Sequence, residues 1–526
     1  MSTSQRTPIP RRQFVKTSTA SLIGASFLPG VLAADGQAAS IQELDLWKPD
    51  SSDPFDFPAP RYPKHLPKIT DVEQLLPGAR RLAAEPPRRG LSHLPGFGIN
   101  PGQKALIITP SNVDPMVAEA ITIALRERGV LVDQITNDIG LADASRLPSP
   151  DGTSAPAELE GAGTVRSLRN PRPRPRGGRW YVSLARLMNY SLVIEGSGGA
   201  LLYTTEGITD FYHQHILWPH RDNFFVRTGT PSQLRLAIDH AVMKPLLEGG
   251  EVRITDPEGT DLSFTIFPEL WSLVEERERR PRVFVGHLWG IPQMVIVQKS
   301  DARGVVAGTA NHSGVYPTLK VHLENQQVVK VEGGGSYGDN WREIVERGKD
   351  IQWPEYPRKG FSWLIEAGIG SDPGNIPGWC WNNGEVRSSG IIHFGFGVGS
   401  QTERFKKFIG ETGLPGGHNH IHVRFPTYEI KNSRGQVVKV IDKGRFTAFD
   451  DPEVRRVAEK FGDPDKLLRQ LWVPAVPGIN YPGDYQRDFG SDPLTWLRKW
   501  RGILEGQVDR VIRYGYRMPK EPILEG

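Results

Sequence analysis

Ala105-Leu106-Ile107-Ile108-Thr109 is a short apolar run, and together with the thirty residues after it decides the fold class. A run with no polar alternation reads as a strand buried on both faces. Asp114-Pro115 then offers a capping side chain with proline at the first helical position, where a backbone N–H has no helical partner anyway. Val117, Ala120, Ile121, Ala124 and Leu125 recur at helical spacing, and Gly129 closes the helix. Val130 to Ile135 is the next strand. Strand, helix and strand in succession predict parallel pairing and an α/β domain, placed at 96–250. Ser191 to Gly196 and a helix near Pro231 to Leu247 continue it. The first strand-to-helix loop holds no glycine, which argues against a dinucleotide or phosphate loop.

Upstream, Asp35 to about Pro95 is rich in proline and reads as an extended N-terminal arm, 34–95. Before it, Pro10-Arg11-Arg12-Gln13-Phe14-Val15-Lys16 precedes a mild apolar run, Thr17 to Leu32, and then small residues from Ala33. This resembles a twin-arginine signal peptide over 1–33, which implies recognition by the Tat translocase and a periplasmic or secreted protein. A plain basic tail is the alternative. The apolar run is too short and too rich in Ser, Thr and Gly for a membrane span. Arg6, Arg11, Arg12 and Lys16 carry the whole excess of this segment, so its removal leaves 60 basic against 60 acidic residues. A balanced chain offers no electrostatic reason to bind nucleic acid or a membrane surface.

At 526 residues the chain is long enough for two or three domains, and 38% hydrophobic with 24% charged residues is a globular composition rather than a disordered one. The 57 glycines and 44 prolines predict many turns and long loops. A lone cysteine, Cys380, excludes intrachain disulfides and cysteine-based zinc clusters, and its Trp-Cys-Trp setting suits burial better than nucleophilic work. The run from Arg172 to Arg179 reads as a solvated loop, or as a positive lip for an anionic substrate. From Val252 to Ile430 strands and Gly-Pro turns dominate, which gives a β-rich domain at 251–440. After about 440 helices return. Asp451-Pro452 opens one with Val454, Val457, Ala458 and Phe461 on a face, and Asp492-Pro493 opens another with Trp496, Trp500, Ile503 and Leu504. This helical extension, 441–526, suits the capping of a neighbouring domain or a homodimer interface.

The β-rich part holds the densest set of metal-capable side chains. Glu366 lies in Trp363-Leu364-Ile365-Glu366-Ala367-Gly368-Ile369-Gly370, and His393 in Gly390-Ile391-Ile392-His393-Phe394-Gly395-Phe396-Gly397. In Gly417-His418-Asn419-His420-Ile421-His422-Val423-Arg424-Phe425 polar and apolar residues alternate, so His418, His420 and His422 share one face of a strand. Same-face neighbours sit roughly 6.6 Å apart. Two adjacent imidazoles can converge on one ion from there, but three in a row reach it poorly. Neutral imidazole is a common metal ligand and a carboxylate often completes such a site. Histidines packed in a core or lying on a surface are the alternative. Tyr212-His213-Gln214-His215, with His220, is a rival cluster lacking a placed carboxylate.

These residues resemble the metal-binding half of the aminopeptidase T-like metallopeptidases and their relatives, the 2,5-dihydroxypyridine dioxygenases. Gly259-Thr260-Asp261-Leu262 resembles the peptidases' GTDL segment, and the likeness spans roughly residues 95 to 440. It implies that Glu366, His393 and His420 stand where the peptidases place a ligating Glu and two ligating His. His422 stands where both branches carry Asp. The peptidases' earlier Glu meets Gln293 here, and their ligating Tyr meets Ser400. The dioxygenases place a His at the Glu366 position, though their strand also continues into an Arg, here Arg424. One carboxylate among neutral imidazoles suits a single divalent ion better than two.

Four readings fit these residues. The first is a metal-dependent hydrolase of an amide or peptide-like bond, with Glu366, His393, His420 and His422 holding one zinc, manganese or iron ion. Arg424 would steady charge on the substrate oxygen. The second is a mononuclear iron dioxygenase acting on a hydroxylated aromatic or pyridine ring, for which Trp363, Trp379, Trp381, Phe394 and Phe396 could form a wall, or equally a core. The third is a binding protein that has kept the fold and lost catalysis. The fourth, a structural secreted protein, leaves the histidine strand unexplained. Substrates are small molecules or peptides on the two enzyme readings.

Overall fold

In the computed structural model the described residues are 46–47, 62–63, 69–87, 96–109, 114–136, 180–195, 210–215, 221–272, 287–290, 301–311, 314–373, 389–399, 402–412, 417–468, 476–480 and 482–493. The signal-like segment, most of the Pro-rich arm, the Arg172 to Arg179 run, His220, Gln293, Cys380, Trp379, Trp381, Ser400 and the stripe from Trp496 lie outside them.

A parallel sheet forms around the apolar run. Strands β1 (Lys104–Thr109), β2 (Leu131–Thr136), β3 (Leu192–Glu195) and β4 (Tyr212–His215) lie in the order β2-β1-β3-β4, every pair parallel. Helices cover both faces, as an uninterrupted apolar strand requires. Ala105 and Ile107 pack with α1 (Leu76–Ala84) and α2 (Pro115–Glu127), while Leu106 and Ile108 pack with Val182 and Ala185 of α3 (Trp180–Leu187). Asp114 caps α2 by accepting from the Met116 N–H at 3.0 Å. The same carboxylate is gripped by Arg221 of α4 (Arg221–Thr228), with Nε at 2.5 Å and Nη2 at 2.9 Å. The next helix, α5 (Ser232–Glu248), ends at Gly249, whose φ of 77° suits glycine.

At Gly250 the chain changes character. Strands β5 (Gly250–Thr255), β6 (Asp261–Ile266), β7 (His287–Trp289), β8 (Arg303–Asn311), β9 (Gly314–Glu324) and β10 (Gln327–Gly333) are followed by β11 (Trp363–Gly370), β12 (Ile392–Val398) and β13 (Gly417–Val423). Then come β14 (Thr427–Lys431), β15 (Val437–Asp442) and β16 (Arg445–Phe446). These twelve strands form one antiparallel sheet, ordered β13-β12-β11-β10-β9-β8-β6-β5-β14-β15-β16, with β7 also paired to β11. The fold is therefore mixed α/β, a parallel sheet followed by a large antiparallel one.

Among the described residues, two helices of ten residues or more interrupt the strand-rich stretch, where sequence patterning predicts few. One is α6 (Gly335–Gly348), whose apolar stripe is Tyr337, Trp341 and Ile344, all buried. Its aromatic character, and the glycines around its start, hide the helical period. The other is α7 (Glu403–Thr412), which packs Phe405, Phe408 and Ile409 against Trp353 and Trp363. Beyond the sheet, α8 (Pro452–Glu459) forms as expected, with Asp451 accepting from the Glu453 and Val454 N–H groups. A buried ion cluster ties α4 and α5 to the sheet. Asp372, two residues past β11, accepts from Arg227 Nε and Arg235 Nη1, each at 2.8 Å.

Candidate metal centre

Three consecutive antiparallel strands, β11, β12 and β13, present one apolar face and one polar face. Ala367 and Ile369, Phe394 and Phe396, and Ile421 and Val423 all join the main core, so their alternate neighbours point the other way. The core therefore claims Phe394 and Phe396, and they form no wall for a substrate. Trp363 lies in a second aromatic cluster, beside Tyr356 and under Arg358.

The register sets the polar face in three rows. Trp363 stands opposite Gly397 and Gly397 opposite His418; Glu366 opposite Gly395 and Gly395 opposite His420; Gly368 opposite His393 and His393 opposite His422. Glu366 reaches this face through a β-bulge. The register shifts between Leu364 and Glu366, leaving Ile365 as the extra residue. Without that insertion Glu366 would oppose Phe394 and point into the core. Bulges re-aim side chains in this way.

Glu366 and His420 are two strands apart, roughly 9.6 Å at two spacings of about 4.8 Å. They meet because Gly395 puts no side chain between them. A Cβ on Gly395 would lie 2.7 Å from His418 Cδ2, 2.9 Å from Glu366 Cβ and 3.0 Å from Glu366 Oε2. In the space so left, His393 Nε2 lies 3.0 Å from Glu366 Oε1, His420 Nε2 lies 3.4 Å from Oε2, and His418 Nε2 lies 2.8 Å from Oε2. The position of His420 is fixed from behind. The Tyr337 hydroxyl accepts from the His420 N–H at 3.1 Å and donates to its carbonyl at 2.9 Å.

Electrostatics puts the pair in the right state. Burial alone would raise the Glu366 carboxyl, but the charge of His393 and hydrogen bonds from His393, His418 and His420 hold it well below the usual range. Burial pushes the His393 imidazole down to about 4, against the pull of Glu366. At neutral pH the carboxylate is thus ionised and the His393 ring neutral, the forms that ligate metal. The donor atoms of Glu366, His393 and His420 all lie within 4.8 Å of one another, and among the described residues they are the only such group of three. Two imidazoles and a carboxylate match the preferences of zinc and iron, and the Gly395 cradle gives room, so the residues fit a divalent ion.

The structure thus gathers Glu366, His393 and His420, and adds His418, which strand spacing and the family resemblance together leave out of the ligand set. His422 shares the face and is fully buried, but His393 stands in its row, with ring centroids 6.1 Å apart. Arg424 is buried just beyond the end of β13. Of the GTDL segment, Gly259 and Thr260 lie in the β5–β6 turn and Asp261 opens β6, pairing with Arg253 at the surface. Beside it Glu258 is buried and accepts from Thr309 at 3.0 Å and from Tyr485 at 2.9 Å. Of the rival cluster, His213 is a buried residue of β4. The signal that could have found Gly395 and His418 is the Phe-Gly-Phe-Gly alternation after His393, which empties two of the three rows at their middle strand.

Fold and site together define a class: an α/β protein with a buried carboxylate–imidazole centre on three neighbouring strands. No family model matches this sequence, and no curated protein matches it either. Among solved structures it is similar to 2,5-dihydroxypyridine dioxygenase from Pseudomonas putida KT2440, at 11% identity and a TM-score of 0.38, covering 73% of this chain and 99% of that one. It is also similar to wild-type AmpT from Thermus thermophilus, at 14% identity and a TM-score of 0.38, covering 72% of this chain and 100% of that one.

Proposed function

We propose that this chain is a metal-dependent hydrolase of amide or peptide-like bonds, with one zinc, manganese or iron ion held by Glu366, His393 and His420. The observation that carries the reading is the buried Glu366 carboxylate with imidazole nitrogens lying within hydrogen-bond distance of both its oxygens. Glu366, His393 and His420 would hold a divalent ion, which would supply an acidified water, with a pKa toward about 7, and a Lewis acid for a carbonyl. Glu366 neutralises half of the ion's charge, and His393, kept neutral by its burial, offers nitrogen without competing protons. Tyr337 holds His420 at its height on the strand. Arg424, buried directly after the histidine strand, is the candidate for steadying negative charge on a substrate oxygen.

Two histidines and one carboxylate also match the ligand set of mononuclear iron oxygenases. That second reading rests on the donor set alone. Metal content separates the two. Protein purified without added metal should carry about one zinc or manganese per chain and cleave peptide or amide substrates. One iron per chain, with oxygen-dependent turnover of a hydroxylated pyridine or aromatic ring, replaces the first reading with the second. Metal held tightly without turnover of either class points to a binding protein.

Export through the twin-arginine pathway is proposed from Arg11-Arg12 and the apolar run after them. Replacing both with Lys should hold the protein in the cytoplasm, and unchanged export removes the proposal.

A further inference from the structure

We propose that His418, rather than His422, supplies a third imidazole to the metal, so that the centre is built from three histidines and one carboxylate. This rests on the reading of Glu366, His393 and His420 as a metal centre and goes beyond it in the ligand set. Three observations carry it. The first is the row pattern. His418 and His420 both face glycine on β12, Gly397 and Gly395, so both rings can lean across toward Glu366 on β11. His422 faces His393, whose own ring occupies the way across. Glycine at two rows and histidine at the third thus decide which imidazoles reach the carboxylate.

The second observation is contact. His418 Nε2 lies 2.8 Å from Glu366 Oε2, nearer than the 3.4 Å of His420, and the two rings meet edge to face with centroids 4.3 Å apart. The adjacent same-face pair that reaches the carboxylate is thus 418 and 420, both at Glu366 Oε2. The third is exposure. The His418 side chain is 18% exposed, against 1% for His393 and 6% for His420, so it forms the solvent side of the centre. An ion entering from solvent meets His418 first. Three imidazoles and one carboxylate around a divalent ion leave a net charge of about +1, which suits a substrate presenting an oxygen or a carboxylate to the ion.

The test is cobalt(II) titration of the metal-stripped full chain, followed by visible absorption and by cobalt counted per chain. The wild type should take up one cobalt. His418→Ala should weaken uptake by more than about tenfold, the lower bound for losing even a group that only supports a ligand, and shift the absorption bands. His422→Asn should keep wild-type affinity and spectrum. His418→Gln separates a ligand from a support, because its amide can still donate to Glu366 but is a poor ligand. Cobalt lost from the Gln variant with an unchanged thermal melt is the expected result. Cobalt kept by Gln and lost by Ala makes His418 a support for Glu366 and overturns the assignment. So does cobalt kept by both variants, or lost only from His422→Asn. A wild-type chain that takes up neither cobalt nor zinc removes the metal reading itself, and this inference with it.

Discussion

The centre depends on one missing side chain. Gly395 has an ordinary strand conformation, so alanine fits the backbone there, but its Cβ would stand within 3.0 Å of both Glu366 and His418. Gly395→Ala should therefore abolish stoichiometric metal and lower stability by about 1–3 kcal/mol, because Glu366 and His418 must shift to admit the methyl group. Metal retained at wild-type affinity would mean the ligands do not meet over this position. A second residue-scale prediction concerns Asp256. Burial, and next to it the charge of Glu258, raise its carboxyl well above the usual range, against N–H groups donated by Glu258, Thr260 and Phe425. A group raised in the folded state favours folding fully below about pH 3.8, its unfolded value, and that contribution is lost as pH rises through the folded pKa. Asparagine keeps the shape of the neutral acid. The stability of Asp256→Asn relative to wild type should then grow from pH 4 to pH 8 in parallel denaturant titrations, and a constant difference would mean that Asp256 titrates alike in both states. At this scale residue type and alternation mark Glu366, His393 and the three histidines of one strand face as candidates, and the family resemblance chooses His420 with His422 among them. Pattern alone could not separate His418 from His422, because a two-residue slip preserves every face and only the partner strand's glycines distinguish the rows.

At the scale of elements, among the described residues the strand β13 pairs with β12 on one side, and helix α6 lends it a hydroxyl on the other. Tyr337→Phe removes one partner from the buried His420 N–H and one from its C=O, which also accepts from the Tyr316 hydroxyl at 3.4 Å, while keeping the ring that packs on Tyr316 and Trp341. We expect a loss of roughly 1–3 kcal/mol in stability, with amide exchange accelerated at His420 more than at neighbouring strand positions. Uniform acceleration along β13 would show that the hydroxyl acts on the helix rather than on the histidine. Local signals made some elements legible. Asp114-Pro115 and Asp451-Pro452 announce α2 and α8 because caps are written in adjacent residues. The aromatic stripe of α6 was not legible, since Tyr and Trp at helical spacing suit strands equally well and Gly338 weakens the pattern. The bulge at Ile365 was hidden too: a run of Trp-Leu-Ile-Glu-Ala carries no mark of which residue is extra.

Across the whole molecule, the link between the helices α4 and α5 and the sheet is ionic and buried. Asp372 is fully buried, and so is Arg227, with Arg235 nearly so. Asp372→Asn should cost about 3–5 kcal/mol, the usual penalty for breaking a buried pair, read as a lower denaturant midpoint. A change of under about 1 kcal/mol, the scale of an exposed pair, would show that the site is solvated. The α/β class was readable from the βαβ signal because a strand, a cap and a helical stripe lie within thirty-odd residues. The order of the twelve-stranded sheet was not, since β5 pairs β14 from far along the chain and nothing local specifies that meeting.

The strands that hold Glu366, His393 and His420 follow one another in the chain, and each pairs with its successor. Closing either hairpin costs roughly 2 kcal/mol less loop entropy than bringing β5 to β14, so nearby contacts form sooner during folding. The ligands can thus be gathered while the rest of the sheet is still open. An ion present at that stage acts as a nucleus and not only as a late passenger. Cobalt included from the start of refolding should shorten the main folding phase, measured by tryptophan fluorescence, whereas cobalt added to the folded chain should change only the unfolding rate.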